Sequence, residues 1–438
     1  MECLCVKLND VPDEILLIIF KKLNNFDLLY YFHGIKNKRL NNIIHDPIFT
    51  TSLNFVKWSS HKFLNKLSSN VILNRFCLQI LPDISIKIKW FYLESSSAKN
   101  ILRAADYLNL YGLGLYNIKE KTARRLFNGQ YDLMAKENDD GTTRFFIVGD
   151  WGGLPVSPFD TPSEVAVANA MGILGVRLNT TFQLALGDNF YNDGVQTNTF
   201  EHVFSATSLQ TPWYVLAGNH DHRGNVSAEI EYGKISKRWI FPDYFYSFSL
   251  WQSDKQKKLI DFVMIDTVIL CGGDSLSDWD HTPLEGPKNQ HVAEAYWQWI
   301  EEQLRQSTAP YLLVNGHYPV YSIAEHGPTE CLIDRLRPLL HQYHATAYIC
   351  GHDHNLQHLT NDMDGVHMNY FVVGAANFID PSQEYAKDVP AGSLKFFWAD
   401  SPVYGGFALM EHNNTHLTLS FIDHSEQTLY QAIMTPRL

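Results

Sequence analysis

Phe182-Gln183-Leu184-Ala185-Leu186-Gly187-Asp188-Asn189-Phe190-Tyr191 is an apolar run just long enough for a buried strand, broken by a glycine and followed by a carboxylate and a phenol. The same design recurs on either side. Phe145 to Val148 runs into Gly149-Asp150, and Trp213 to Ala217 runs into Gly218-Asn219-His220-Asp221. Tyr311 to Asn315 runs into Gly316-His317, and Ala347 to Cys350 runs into Gly351-His352-Asp353-His354. Helical segments, Pro162 to Leu178 and Val292 to Gln306, separate the runs, which is the pattern of an α/β fold with buried strands. In such folds polar side chains gather beyond the carboxyl ends of the strands. Glycine at each junction lets the backbone turn tightly and approach a ligand.

A single Gly-Asp after a strand is ordinarily a turn or a helix cap, and a single histidine in apolar surroundings is ordinarily a core residue. Five such ends in one domain, supplying Asp150, Asp188, Tyr191, Asn219, His317, His352 and His354, exceed what turn chemistry requires. Together they predict a pair of cations. Two metal ions roughly 3.5–4 Å apart hold a phosphate, ionise a water, and clamp attacking and leaving oxygens. A carboxylate such as Asp188 can bridge them. His352 and His354 are two residues apart, so an extended backbone aims both at one face and each can serve one metal. Carboxylate, amide oxygen, imidazole and phenolate suit iron, manganese or zinc better than calcium. No pair of cysteines has zinc-ribbon spacing.

With Gly149-Asp150-Trp151-Gly152-Gly153, Gly316-His317-Tyr318-Pro319, Ala324-Glu325-His326-Gly327-Pro328 and Gly351 to Asn355 added, residues 144–434 resemble a complete purple acid phosphatase of the small, tartrate-resistant class within the metallophosphoesterase superfamily. The resemblance implies a four-layer α/β/β/α sandwich and an acid phosphatase that hydrolyses phosphate monoesters by metal-hydroxide attack. It implies a ferric site of Asp150, Asp188, Tyr191 and His354. The second site, for Fe(II), Zn(II) or Mn(II), would use Asp188, Asn219, His317 and His352, with Asp188 bridging. Tyr191 on ferric iron gives this family its purple colour. By the same resemblance Glu325 and His326 match positions near the substrate. His220, next to a ligand, holds the phosphate or protonates the leaving group, and His222 supports from behind. Calcineurin-like protein phosphatases and phosphodiesterases typically carry Asp-x-His at the first motif. Gly152 stands where that histidine would be, and the phenolate of Tyr191 fills the gap. The family pairs the cysteines matching Cys271 and Cys331 as a disulfide, and has a loop matching Cys271 to Asn289 that partly covers the site.

The rest of the chain is of another kind. At 438 residues the length points to two or three domains, and 45% apolar with 19% charged residues is a globular composition. The first hundred residues carry more Lys and Arg than Asp and Glu, whereas the remainder is strongly acidic and the chain totals −12. Such a shift marks a join between unlike modules, and an acidic body is a poor surface for nucleic acid. Residues 8–50 predict a helical domain, with Asp10 as cap, Pro12 in a first turn, and Ile15, Leu16, Ile19, Phe20 and Leu23 at helical spacing. Shorter helices are expected around Asp27-Leu28-Leu29 and Asn37 to Asn41. This stretch, with Val11-Pro12-Asp13-Glu14-Ile15-Leu16 and Lys38-Arg39-Leu40, resembles an F-box. That resemblance implies docking to a Skp-type adaptor. It also opens a second reading, a ubiquitin-ligase receptor that uses the phosphatase-like domain to bind phosphorylated targets. Residues 51–127 read as a mixed annex in which Leu108-Asn109-Leu110, Leu113-Gly114-Leu115 and Asn117-Ile118 hint at a leucine-rich unit. Residues 128–143 read as a polar linker.

No run reaches the roughly 18–20 apolar residues of a membrane span, and the N-terminal sequence lacks the basic start and long apolar run of a secretory signal. An F-box and a missing signal suit the cytosol. The family disulfide and the sequons at Asn179, Asn225 and Asn413 suit a lysosomal or secreted protein. The two halves thus imply different compartments.

Overall fold

The computed structural model describes residues 13–20, 28–29, 32–33, 37–50, 52–54, 80–94, 112–116, 130–134, 138, 140–191, 195, 198–252, 257–273, 284, 286–399, 404–413 and 415–437. The chain divides into two compact units, residues 1–129 and 130–438.

In the first unit, helices Asp13–Phe20 and Lys38–Ile44 bury Leu16, Phe20, Leu40, Ile43 and Ile44 with Leu28 and Phe49 in a small apolar core. Asn37 caps the second helix, its side-chain oxygen accepting from the amides of Arg39 and Leu40, as an asparagine just before a helical run predicts. Asp10, Val11, Pro12 and Asp27 lie outside the described residues. A helical core of this size fits an F-box and other small bundles alike. Strands Ser52–Asn54, Trp90–Glu94 and Gly112–Tyr116 form a three-stranded parallel sheet. Leu113-Gly114-Leu115 sits in the third of these, while Leu108 to Leu110 and Asn117-Ile118 lie outside the described residues.

The second unit begins with β1 (Gln130–Met134), β2 (Thr143–Val148), α1 (Pro162–Leu178), β3 (Gln183–Leu186), β4 (Trp213–Leu216), α2 (Asn219–Arg223), α3 (Val226–Tyr232) and β5 (Trp239–Ile240). Next come β6 (Tyr246–Trp251), β7 (Lys258–Met264), α4 (Thr267–Cys271), α5 (Gln290–Gln306), β8 (Tyr311–Asn315), α6 (Glu330–Gln342) and β9 (Ala347–Cys350). It closes with β10 (Leu356–Met363), β11 (Val366–Val373), β12 (Leu394–Trp398), β13 (Gly406–His412), β14 (Leu417–Asp423) and β15 (Thr428–Met434). One sheet has seven strands in the order β15-β14-β13-β2-β3-β4-β5, the other eight in the order β12-β10-β11-β9-β8-β7-β6-β1. Neighbours are parallel from β2 through β5 and among β7, β8, β9 and β11, and antiparallel in the C-terminal strands.

Side-chain alternation sets the layers. On β8, Tyr311 and Leu313 join one apolar cluster while Leu312 and Val314 join another. β9 repeats this with Ala347 and Ile349 against Tyr348 and Cys350. The first cluster is shared with the seven-stranded sheet, where Phe145 and Phe182 meet Phe262 at ring-centroid distances of 5.6 and 5.9 Å. The second takes Trp297, Ile300 and Leu304 from α5 and Leu332, Leu336 and Leu340 from α6. Phe145, Phe146, Ile147 and Val148 are all buried, so both faces of β2 are covered, one by the other sheet and one by α1 with Val167, Met171 and Leu174. The result is a helix–sheet–sheet–helix sandwich.

One stretch departs from the sequence reading. Residues 130–134, inside the expected linker, form the edge strand β1, which pairs in parallel with β6 through Tyr131 opposite Phe248 and Leu133 opposite Leu250. Two alternating apolar residues in a polar stretch are too short a period to stand out, and the pairing partner is more than a hundred residues away.

Candidate metal centre

Each of the five junctions is a strand end. Asp150 follows β2, Asp188 follows β3, Asn219 opens α2 after β4, His317 follows β8, and His352 and His354 follow β9. Three of these strands belong to one sheet and two to the other. Their side chains meet where carboxyl ends of both sheets converge. Asp150, Asp188 and His352 have φ of 53, 50 and 73°, a left-handed conformation that costs energy in residues with side chains and is kept where function requires it. Gly218 and Gly351 are needed for space: a Cβ on the first would lie 2.2 Å from Asp188 Oδ1, and on the second 2.3 Å from Asp150 Oδ2.

Ligand-competent atoms of Asp150, Asp188 and His317 all lie within 4.8 Å of one another, and all three residues are buried. His317 Nδ1 lies 2.9 Å from the Leu186 carbonyl, to which it donates, and this turns Nε2 toward the cluster. Nε2 lies 2.9 Å from Asn219 Oδ1 and 3.4 Å from Asp188 Oδ1. On the other flank the Tyr191 hydroxyl lies 3.4 Å from His354 Nε2, which is 3.7 Å from Asp150 Oδ1. The ring of His352 lies 5.0 Å from that of His317. His220 donates its backbone amide to Asp188 Oδ1 at 2.9 Å and holds its Nε2 4.0 Å from Asp188 Oδ2. His326 stacks on His352 with centroids 4.1 Å apart. A cleft of about 720 Å³ opens over this cluster, with Asp188, Tyr191, Asn219, His220, His352 and His354 among its lining and Glu325 and His326 on one wall.

Several residues that hold this arrangement were not legible as such in the sequence. Asp221 is buried and accepts from the amides of Asn189, Phe190 and Gly218 at 2.9, 3.0 and 2.8 Å, tying the second junction to the third. Asp353 accepts from the His326 amide at 3.0 Å and so fixes the loop that carries Glu325. Both sit inside ligand motifs, but a carboxylate beside a ligand looks the same in sequence whether it binds metal or backbone. His222, expected as a support, lies 2.7 Å from Asp266. Arg223, Phe378 and Tyr385 also line the cleft, and no motif announces them. Cys271 and Cys331 are joined by a disulfide with Cα atoms 5.8 Å apart. Of the expected loop from Cys271 to Asn289, residues 274–283 and 285 lie outside the described residues.

The model of the calcineurin-like phosphoesterase family matches residues 143–356. Tartrate-resistant acid phosphatase type 5 of Oryctolagus cuniculus is 46% identical over 304 residues, covering 68% of this chain and 92% of that protein. Purple acid phosphatase 7 of Arabidopsis thaliana is 32% identical over 237 residues, covering 51% of this chain and 68% of that protein. The chain belongs to the purple acid phosphatase family. Among solved structures, that of GAP50, the anchor in the inner membrane complex of Plasmodium, shares the fold, with a TM-score of 0.55 at 22% identity over 68% of this chain and 90% of that one.

Membership of the purple acid phosphatases implies a dinuclear metal centre, and the residues present fit one. Asp150 Oδ1 is buried without a hydrogen-bond partner, an arrangement that is costly unless a cation completes it. Burial, together with neighbouring Asp188, pushes the Asp150 carboxyl well up. Burial also works against the charge of Asp188, but His317 and His220 hold its carboxyl below the ordinary range. For His317 burial favours the neutral ring, yet Asp188 and Asp150 outweigh it and raise the imidazole to about 10. His352 and His354 are kept neutral, first by burial and then by neighbouring imidazoles, His354 down to about 3. Neutral imidazoles and an unsatisfied carboxylate oxygen are the donors that metal ligation demands. The buried Tyr191 phenol is raised well above its usual value by burial and by Asp188 and Asp150, so a strong Lewis acid is needed to make it a phenolate.

Proposed function

We propose that residues 144–434 hydrolyse phosphate monoesters at acidic pH on a centre of two cations. The observation that carries this reading is the convergence of Asp150, Asp188 and His317 within 4.8 Å beneath an open cleft. In this reading Asp150, Asp188, Tyr191 and His354 hold a ferric ion, because a phenolate favours the trivalent state. Asp188, Asn219, His317 and His352 hold Fe(II), Zn(II) or Mn(II), with Asp188 common to both. Bound there, two cations supply the charge that phosphoryl transfer needs and lower the pKa of a bound water.

The chain's own side chains do the rest. Asn219 and His317 are held by α2 and by the Leu186 carbonyl, so the floor is fixed before substrate arrives. His220, on the cleft side of Asp188, is within reach of the ester oxygen and passes it a proton. His326, stacked on His352, and Glu325 beside it bound the phosphate on the opposite wall and orient the leaving group. Phe378 and Tyr385 give the cleft an apolar side for an aryl or alkyl group. We extend the proposal to the remaining organisation: a helical F-box-like domain over 8–50 and an annex over 51–127, with the join expected over 128–143 shortened by β1, which already belongs to the phosphatase sheet.

The test is hydrolysis of p-nitrophenyl phosphate near pH 5 by the purified full chain, with metal content measured on the same sample. Turnover that is lost on chelation and regained with iron plus zinc supports the reading. A protein holding two metals per chain and lacking turnover overturns it.

A further inference from the structure

The described lining of the cleft is unevenly charged. Arg223 is the one Lys or Arg among its described lining residues. It belongs to α2, the helix that also carries Asn219 and His220. Away from the floor the charged lining is carboxylate: Glu325, Glu330 and Asp334. Glu330 and Asp334 are four residues apart on α6 and therefore neighbours on one helix face, and both are exposed. The disulfide between Cys331 and Cys271, both also lining the cleft, fixes the first turn of α6 beside it.

Glu330 alone has a plain explanation, since an acid in the first turn of a helix offsets the helix dipole. Asp334 lies a turn further on, where that effect has faded. It is exposed and faces the cavity.

We propose that Glu330 and Asp334 make this cleft selective for phosphorylated polypeptide segments carrying Lys or Arg beside the phosphorylated residue, and selective against polyanionic esters. The inference rests on the phosphatase reading and names the substrate class of that same site. A monoester with its phosphate on the floor shares the cleft with Glu325, Glu330 and Asp334. A cation beside α6 meets two carboxylates. A second anion, whether an acidic side chain or a further phosphate, meets like charge, with Arg223 the one Lys or Arg among the described lining residues to balance it. Charges within about 10 Å interact at 0.1 M salt and fade beyond it, so the preference falls on groups close to the phosphate and weakens as salt rises.

The experiment uses the metal-loaded full chain and two phosphoserine peptides of equal length, one with Lys and one with Glu flanking the phosphoserine. Each kcat/KM is normalised to that for p-nitrophenyl phosphate, which carries no charge beyond its phosphate. The wild-type protein is expected to favour the Lys peptide by about tenfold or more at low salt, and less at 0.5 M NaCl. The doubly neutralised variant, Glu330→Gln with Asp334→Asn, is expected to bring the ratio within about threefold. Peptides bearing a non-hydrolysable phosphonate, followed by fluorescence anisotropy, are expected to show the same ratios in Kd. No preference in the wild type, or a preference the double variant retains, overturns the proposal. If p-nitrophenyl phosphate is not hydrolysed by the two-metal protein, the phosphatase reading fails, and the phosphonate affinities still decide whether the rim selects charge.

Discussion

Asp188 Oδ1 lies near His317 Nε2 and also accepts the His220 amide, so substitutions around it separate the two proposed jobs, holding metal and moving protons. If His317 is a donor to the proposed centre, His317→Ala is expected to leave about one cation fewer per chain and less than about a thousandth of the wild-type kcat, read by metal analysis and aryl phosphate turnover. His220→Ala is a different case. If its imidazole protonates the leaving group, alkyl phosphates slow at least tenfold while p-nitrophenyl phosphate, whose leaving group needs no proton, stays within about threefold. Equal losses across the two classes remove His220 from that role. At this scale the seven ligand candidates were legible because each follows an apolar run and a glycine. Asp221 was not: its function is to accept three backbone amides, and nothing in a one-dimensional string distinguishes that from ligation. Arg223, Glu330 and Asp334 escaped for the opposite reason, since a charged side chain on a helix has no pattern until a cavity lies beside it.

Helix α1 shows how an element can carry a pH dependence away from the centre. Thr161 caps it, its hydroxyl accepting from the Glu164 amide at 3.1 Å. Glu164 itself is wholly buried, and neither carboxylate oxygen has a well-formed hydrogen bond. Burial raises its pKa to about 9, opposed by the Thr161 amide and aided by Asp160. The folded protein therefore keeps this proton where the unfolded chain, near 4.5, releases it. Folding carries no penalty from Glu164 below the unfolded value, and a growing one as pH rises from there toward 9, on the order of 3 kcal/mol at pH 7. Glu164→Gln is expected to raise Tm at pH 8 by several degrees and leave it nearly unchanged at pH 4.5, measured by thermal unfolding. A variant that loses stability equally at both pH values contradicts the assignment. The helix bounds, Pro162 to Leu178, were legible from the cap, the proline and the apolar spacing. The burial of Glu164 was not, because a threonine followed three residues later by glutamate ordinarily marks an exposed capping box.

For the whole molecule, the boundary between the two units at residues 129 and 130 places strand β1 with the phosphatase sheet. A chain beginning at residue 130 is expected to keep aryl phosphate turnover within about twofold of the full protein. One beginning at residue 140 exposes the β6 edge and is expected to lose several degrees of Tm. Equal stability of the two would mean that β1 contributes nothing to the sheet. The α/β sandwich was legible because its central strands are buried on both faces and so read as continuous apolar runs. β1, short and at an edge, was hidden by the same logic. The central claim is that Tyr191 gives its oxygen to an iron ion beside Asp188, and the visible absorption spectrum of the iron-loaded protein tests it most directly. We expect a broad purple band that disappears in Tyr191→Phe. A colourless protein with two metals bound per chain, iron among them, or a band that survives loss of the phenol, would contradict it.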